Sequence, residues 1–413
     1  MDTMNTQPFG PFRADRPEPL GFDGKRLAQI GEIVDGYLAD GRTAGVVTAV
    51  LRDGALAWFD ARGYRELATK APMNTDDLFR IFSMTKPITS AAVMMLVEET
   101  KLRLTDPVSG FFPEYKTMQV YVGGTEPPFQ TEPAAREITI RDLLTHTSGL
   151  AYGIGDEHPI EKKFETEVWE PVGRDPDLSL RELARLVSKL PLVHQPGTHW
   201  RYSIAIDLLG AIIEEVSGLS LSRFLGERFF DPLGMRDTFF TVPEEKQSRL
   251  TGLYGPGETG LEPVPNLPTL PFTTPTAHPN GGGGLVSTAA DYLTFAQMLL
   301  NGGRAPDSGS SRRDRILGPR TVSMMMTDHF PPDIQGWASP GVGFGYGGSV
   351  VTDVTQLSGY GSVGRFSWGG AASTIFWIDP VERLAGLMLQ QIMPYTDALM
   401  NDVQTTVYQA IER

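Results

Sequence analysis

The stretch Leu78-Phe79-Arg80-Ile81-Phe82-Ser83-Met84-Thr85-Lys86-Pro87-Ile88-Thr89 joins a strand-like run to a helix that the pattern carries on to Leu102. Ala91, Ala92, Met95, Leu96 and Val97 give that helix a buried body. Residues three apart on a helix share a face, so the Lys86 ammonium can approach the Ser83 hydroxyl. Lys86 stands one turn in, beside apolar side chains and near the positive helix end. Both influences disfavour the charged form, and a neutral amine there can help take the serine proton. Pro87 is accommodated in a first turn, which supports a helix start here. The plain alternative for so short a pattern is an N-cap serine with a solvated lysine. The strand-to-helix junction favours the chemical reading, and no other lysine follows a serine by three residues.

The rest of the chain bounds what such a site can serve. Its 413 residues suggest two closely packed domains or one large composite one. With 40% hydrophobic and 21% charged residues it is not a largely disordered chain. The net charge of −14 repels phosphate backbones and anionic lipid, so nucleic-acid and membrane-surface partners are excluded. Cys is 0, which removes disulfides, thiolate metal sites and a cysteine nucleophile together. No stretch is apolar for long enough to cross a bilayer, and Met1–Leu20, with four prolines, has no signal-peptide core. The expected location is cytoplasmic.

Residues 1–20 read as an irregular arm. A helix is expected over Lys25–Leu38, then strands over Ala44–Leu51 and Ala55–Phe59 around an Asp53-Gly54 hairpin turn. From Leu104 to about Asn280, helical segments (Ile140–Leu144, Leu180–Lys189, Ile206–Ser217, Leu221–Phe230) alternate with Pro- and Gly-rich loops. A helix follows over Thr288–Leu300, then a polar loop, Asn301–Arg315, that reads as mobile. Strands return over Ser349–Val354, Arg365–Trp368, Ser373–Ile378 and Leu384–Gln391, before a closing helix over Thr396–Ile411. The fold expected is α/β plus all-α: an antiparallel sheet flanked by helices, with a mostly helical insertion. Residues 21–103 and 281–413 form the α/β domain, and 104–280 the helical one.

Two further features carry chemistry. Tyr202, after Pro196-Gly197-Thr198-His199-Trp200-Arg201, opens a helix and can place its phenol over the Ser83–Lys86 pair. A phenolate beside an ammonium is a competent general base; the plain alternative is a ring packed on the core. Trp368-Gly369-Gly370-Ala371 puts two glycines inside a strand, which weakens it unless something approaches the backbone closely. A ligand carbonyl would do so, and the Ala371 N–H can then join the Ser83 N–H as an oxyanion pair. The alternative is a β-bulge with Trp368 in the core.

Other candidates fall away. Gly343–Gly348 has dinucleotide-binding spacing without the strand–turn–helix unit it requires. His194 and His199 are separated by Pro196-Gly197, so no metal is indicated. His146 reads as a buried structural histidine. Gly281–Gly284 reads as a flexible edge of the cleft. No serine lies in a Gly-x-Ser-x-Gly elbow.

Together, Phe82–Thr89, Leu143-Leu144-Thr145-His146-Thr147-Ser148-Gly149-Leu150 and Gly282-Gly283-Gly284-Leu285-Val286-Ser287-Thr288 resemble the serine β-lactamase and penicillin-binding-protein superfamily. The resemblance is strongest to class C β-lactamases and family VIII carboxylesterases, and runs from about Lys25 to the C-terminus. It implies Ser83 as nucleophile, Lys86 as its proton-transfer partner and Tyr202 as the third catalytic group, with no cofactor. Two departures matter. β-Lactamases carry Asn where this chain has Ile204, and Lys-Thr-Gly where it has Trp368-Gly369-Gly370. That Lys-Thr pair grips the lactam carboxylate, and a neutral indole cannot replace its charge. Family VIII esterases share the Trp-Gly-Gly form, so Trp368, Gly369 and Gly370 are expected in the substrate pocket. Arg365 is the nearby residue that can restore a cation. The expected function is hydrolysis of short-chain, uncharged carboxylic esters through an acyl-enzyme on Ser83. A β-lactamase, D-amino-acid peptidase or acyltransferase on the same machinery is the first alternative, and a non-catalytic binding scaffold the second. The partner is a small-molecule ester, and oligomeric state is left open.

Overall fold

The computed structural model describes residues 12–14, 16–154, 157–264, 267, 270–306 and 315–413. β1 (Arg13–Ala14), β2 (Gly45–Arg52), β3 (Ala55–Glu66) and β4 (Ala71–Pro72) come from the first part of the chain. β5 (Phe79–Arg80) leads into the Ser83 segment. Two hairpins, β6 (Gln119–Gly123) with β7 (Gln130–Pro133) and β8 (Tyr254–Pro256) with β9 (Leu261–Pro263), interrupt the helical middle. β10 (Val286–Ser287) pairs with β5. β11 (Val342–Phe344), β12 (Ser349–Val351), β13 (Phe366–Gly370), β14 (Thr374–Asp379) and β15 (Leu384–Leu389) complete the set.

The main sheet runs β1-β3-β2-β15-β14-β13-β12-β11, with β4 beside β3. β2 and β15, from opposite ends of the chain, are neighbours in it. Its pairings are antiparallel except β1 against β3, where Arg13 and Ala14 align with Ala55 and Leu56. The amino-terminal arm is therefore not irregular throughout. The free edge of β3 offers unpaired backbone groups, and a passing extended segment takes them up. Residues 1–11 and 15 of that arm, and 307–314 of the polar loop, lie outside the described residues.

Among helices, α1 (Gly24–Leu27) and α2 (Gln29–Ala39) divide the first expected helix at Ala28. α3 (Thr85–Glu98) follows a 3-10 turn over Phe82–Met84, so Ser83 lies just before the helix and Lys86 at its second position. α4 (Ile140–Leu144), α5 (Pro159–Phe164), α6 (Glu170–Arg174), α7 (Leu180–Val187), α8 (Ala205–Ser217), α9 (Leu221–Leu225) and α10 (Asp231–Leu233) occupy the middle. α11 (Ala289–Leu300), α12 (Pro319–Met325) and α13 (Ala398–Gln409) follow.

The alternation of strand side chains decides which face each covers. On β2, Val46 and Val50 join Leu27, Ile30, Val34, Leu399 and Val403 under α2 and α13. Val47, Ala49 and Leu51 face the larger core with α3, α8 and α11. Asp53 and Gly54, at φ of 54° and 77°, make the tight turn between β2 and β3, a left-handed pair that asparagine, aspartate and glycine accommodate best. On β15, Gly386 is opposite Trp377, and a Cβ there would stand 2.0 Å from the indole. Gly386→Ala is thus expected to lower stability by about 3 kcal/mol through overpacking, read from urea unfolding followed by circular dichroism. An unchanged midpoint would show that the sheet yields at this point.

Candidate active site

Ser83 is half-buried at the mouth of the larger core, and the backbone that presents it is constrained on both sides. Phe82 holds a positive φ of 43°, a conformation that a bulky residue keeps only under compensating contacts. Its ring meets Phe272 edge to face at 5.6 Å. Tyr292 donates its hydroxyl to the Met84 carbonyl at 2.8 Å from beneath. The nucleophile candidate therefore sits on a bend that the core has fixed in advance.

Lys86 is completely buried. An ammonium has three N–H donors. Here they meet Gly282 O at 2.7 Å, Ser83 Oγ at 3.3 Å and Tyr152 OH at 3.3 Å. The Tyr202 ring centroid is 4.5 Å from Nζ, within cation–π range. The helical spacing does bring Lys86 to Ser83. The expectation of a neutral amine is corrected: burial alone would push the lysine down, but Tyr152, Tyr202 and Asp207 outweigh it and hold the group above its ordinary value. Lys86 is a cation in this site.

Tyr202 lies just before α8, as expected. His146 packs on its ring at 4.9 Å and Trp368 at 5.7 Å. The segment Leu143–Leu150 forms the strap beneath it. A capping box between Thr139 and Asp142 starts α4, and the chain then turns through His146 at φ 56° and Gly149 at φ 81°. A side chain at 149 would strike the His194 carbonyl, which explains the glycine. His146 Nδ1 meets Ser203 Oγ at 3.2 Å, and burial with the nearby Lys86 drives the imidazole well below its usual value. It is a neutral support.

Tyr152 was not singled out by the sequence, although it stands two residues beyond the Leu143–Leu150 motif. Its backbone N–H donates to Glu161 Oε2 at 2.9 Å, and Glu161 is paired at 2.8 Å with Arg201, the residue before Tyr202. One buried ion pair thus ties both tyrosines. Burial, with Asp207 and Tyr202, raises the Tyr152 phenol, while Lys86 lowers it.

Gly281–Gly284 is not a flexible edge. All four glycines are buried, and the turn supplies the carbonyl that receives Lys86. Thr89 Oγ1 donates to Gly281 O at 2.7 Å, and the Gly282 N–H donates to Asp207 Oδ1 at 3.0 Å. A Cβ at 282 would lie 2.4 Å from Asp207 Oδ2.

Trp368, Gly369 and Gly370 end β13, and Ala371 begins the turn to β14. A Cβ at Gly370 would be 2.3 Å from the Ile81 carbonyl and from Thr374 Oγ1. The close approach that the glycines permit is made by protein backbone, two residues before Ser83. It brings the β13–β14 turn beside the nucleophile candidate. Ser83 and Ala371 each carry a backbone N–H at this junction. Two donors beside a hydroxyl can hold a developing oxyanion. Ile204 is fully buried in the core. Arg365 does not supply a cation to the cleft: it donates to the Tyr360 carbonyl and lies against Tyr408 of α13. A surface cavity of about 560 Å³ lined by Met118, Phe129, Leu186 and Leu190 shares no residue with this constellation.

A serine hydroxyl hydrogen-bonded to a buried ammonium, with a phenol on that ammonium, is equipped for acyl transfer. A family model described as Beta-lactamase matches residues 30–407. The chain belongs to the β-lactamase family. Protein Rv1367c of Mycobacterium tuberculosis is 40% identical over 384 residues, 91% of each chain. Esterase EstB of Burkholderia gladioli is 30% identical over 397 residues, 90% of this chain and 92% of its own. The solved structure of EstCE1, a hydrolase with promiscuous acyltransferase activity, matches with a TM-score of 0.76 and 27% identity, over 93% of this chain and 99% of its own. The protein is a serine hydrolase of the β-lactamase/transpeptidase-like fold, with esterases among its relatives. No helix among the described residues is long and apolar enough to cross a membrane.

Tyr152→Phe removes one acceptor from the Lys86 ammonium and leaves the ring. Hydrogen bonds to charged groups are worth about 1.5–3 kcal/mol, so kcat should fall about 10- to 100-fold with KM little changed. Steady-state kinetics check this, and a normal kcat would remove Tyr152 from the machinery.

Proposed function

We propose that this β-lactamase-family protein is a carboxylesterase acting on short-chain, uncharged esters through an acyl-enzyme on Ser83. The observation that carries the reading is the 3.3 Å contact between Ser83 Oγ and a lysine whose remaining donors are engaged by Tyr152 and Gly282. Because Lys86 is a cation, it stabilises negative charge growing on Ser83 Oγ and is not itself the empty base. The proton of Ser83 passes to Tyr202, whose ring lies against the same ammonium. Ser83 attacks the ester carbonyl, the Ser83 and Ala371 N–H groups hold the oxyanion, and the protonated Tyr202 returns its proton to the departing alcohol. Water repeats the sequence on the acyl-enzyme.

The cleft wall supports this substrate class. Trp368 meets Tyr202 at 5.7 Å and Phe344 at 5.2 Å, an apolar surface where the family's β-lactamases carry a lysine. An uncharged ester suits that wall better than a lactam carboxylate. EstB is an esterase by name, which supports the same reaction here. Transfer of the acyl group to an alcohol other than water is the second reading, favoured by the likeness to EstCE1.

Ser83→Ala is expected to abolish turnover of a short-chain p-nitrophenyl ester in protein of confirmed fold. Equal rates in parent and variant would mean that another group is the nucleophile. Trp368→Ala should change the ranking of acyl chain lengths by kcat/KM while leaving thermal stability near the parent value. Nitrocefin turnover matching that of esters would move the assignment to a β-lactamase.

A further inference from the structure

The glycine turn that receives the Lys86 ammonium is itself held from behind by a carboxylate. Asp207 on α8 is fully buried. Its Oδ1 accepts the Gly282 N–H at 3.0 Å, while its Oδ2, equally buried, meets no donor among the described residues. The carbonyl of the same Gly282 accepts from Lys86 Nζ at 2.7 Å. One glycine therefore stands between a buried anion and a buried cation, and a side chain on it would collide with the carboxylate. An anchor for a single N–H needs no charge, since a neutral oxygen accepts the same bond. A buried, half-satisfied carboxylate is costly, and its retention calls for a use of its charge.

The surroundings leave that charge directed at the catalytic group. α3 presents Lys86, the loop after α4 presents Tyr152, and the glycine turn brings an N–H and no charge. Tyr202 sits on Lys86 itself. On the other helices packed against α8, Arg141 on α4 lies against Tyr346 and Asp142 is held by Arg136; on α7 Arg181 is held by Glu215, Glu182 by Ser179 and Arg185 by Glu114; and Arg223 on α9 is held by Glu227. Burial pushes the Asp207 carboxyl up to about 6, against the opposing pull of Lys86 and the Gly282 N–H. It is an anion at neutral pH.

We propose that Asp207 is a positioning residue for acyl transfer, whose negative charge across Gly282 offsets the Lys86 ammonium and so strengthens the base that takes the Ser83 proton. This rests on the reading of Ser83 as nucleophile. Asp207→Asn and Asp207→Ser both remove the charge and keep an oxygen for the Gly282 N–H.

The test is the pH profile of Ser83 labelling by a fluorophosphonate, followed by intact-protein mass spectrometry in the parent and both variants. That reaction forms the Ser83 Oγ–P bond, expels fluoride and sends the serine proton to the site base, so it reads the nucleophile without an ester substrate. With the negative charge gone, the base binds its proton less tightly, and the acid limb should move down by about one pH unit. A weaker base should also lower the plateau rate about tenfold. Parent and variants should converge below about 6, where Asp207 itself is protonated. An unchanged limb in folded variants overturns the proposal and leaves Asp207 as an anchor of the turn. Failure of both variants to fold makes the carboxylate structural and overturns it equally. A parent that labels at Ser83 yet hydrolyses no ester sinks the esterase reading alone. No labelling in the parent at any pH sinks both.

Discussion

A charged amine buried away from water must be met on every side, and the architecture around Lys86 follows from that requirement. Moving an ammonium out of water costs several kcal/mol even after relaxation. Three oxygens, two aromatic faces and a carboxylate beyond the glycine turn answer it. Those groups come from four separate stretches of chain: the bend before α3, the strap after α4, α8 with its entry and the turn before β10. The lysine therefore fixes how the helical layer sits on the sheet-bearing part. None of those stretches can move far without leaving a donor unpaired in a dry interior, which costs about 1–3 kcal/mol or more for a charged group.

The strap and the α8 entry solve a second problem, that of holding Tyr202 still. Its ring is braced by His146, Tyr152, Trp200 and Trp368, none of which carries a charge at that face. His146 is buried and neutral, so it adds no competing base. The Glu161–Arg201 pair sits beneath and ties the backbone of Tyr152 to the residue preceding Tyr202. Both phenols thus stay close to one ammonium.

What the sequence made legible was local. Ser83 and Lys86 are three residues apart, the Asp53-Gly54 turn is a dipeptide, and Ala44–Leu51 is one short β-rich run. Tyr202 was readable because a Gly/Pro loop delivers it to a helix start. Tyr152 and Asp207 were not readable, since Tyr152 reaches Lys86 across 66 residues of chain and Asp207 reaches Gly282 across 75. In sequence Asp207 is one polar residue in the apolar run Ile204–Ile213, and only tertiary packing reveals that it is buried. The charge state of Lys86 is hidden for the same reason: the desolvation is foreseeable from the helix, and the distant oxygens that outweigh it are not. Gly282 looked like slack because glycine runs often are, whereas here the missing side chain makes room for a carboxylate.

The replacement of a lysine by Trp368 then has a consequence for the whole cleft. In this chain the donors of Lys86 are already engaged by protein oxygens, and Arg365 is turned toward α13. A substrate carboxylate would thus meet neither cation, and desolvating it against the indole would go uncompensated. On the proposed reading, an ester brings no such charge, and its polarity develops only at the carbonyl oxygen, beside the Ser83 and Ala371 N–H groups. Binding by the aromatic wall and stabilisation by the backbone donors then act at different stages, the first on the ground state and the second as the tetrahedral centre forms. On the proposed reading, that separation lets the wall change with the acyl group while the Ser83–Lys86–Tyr202 geometry stays fixed.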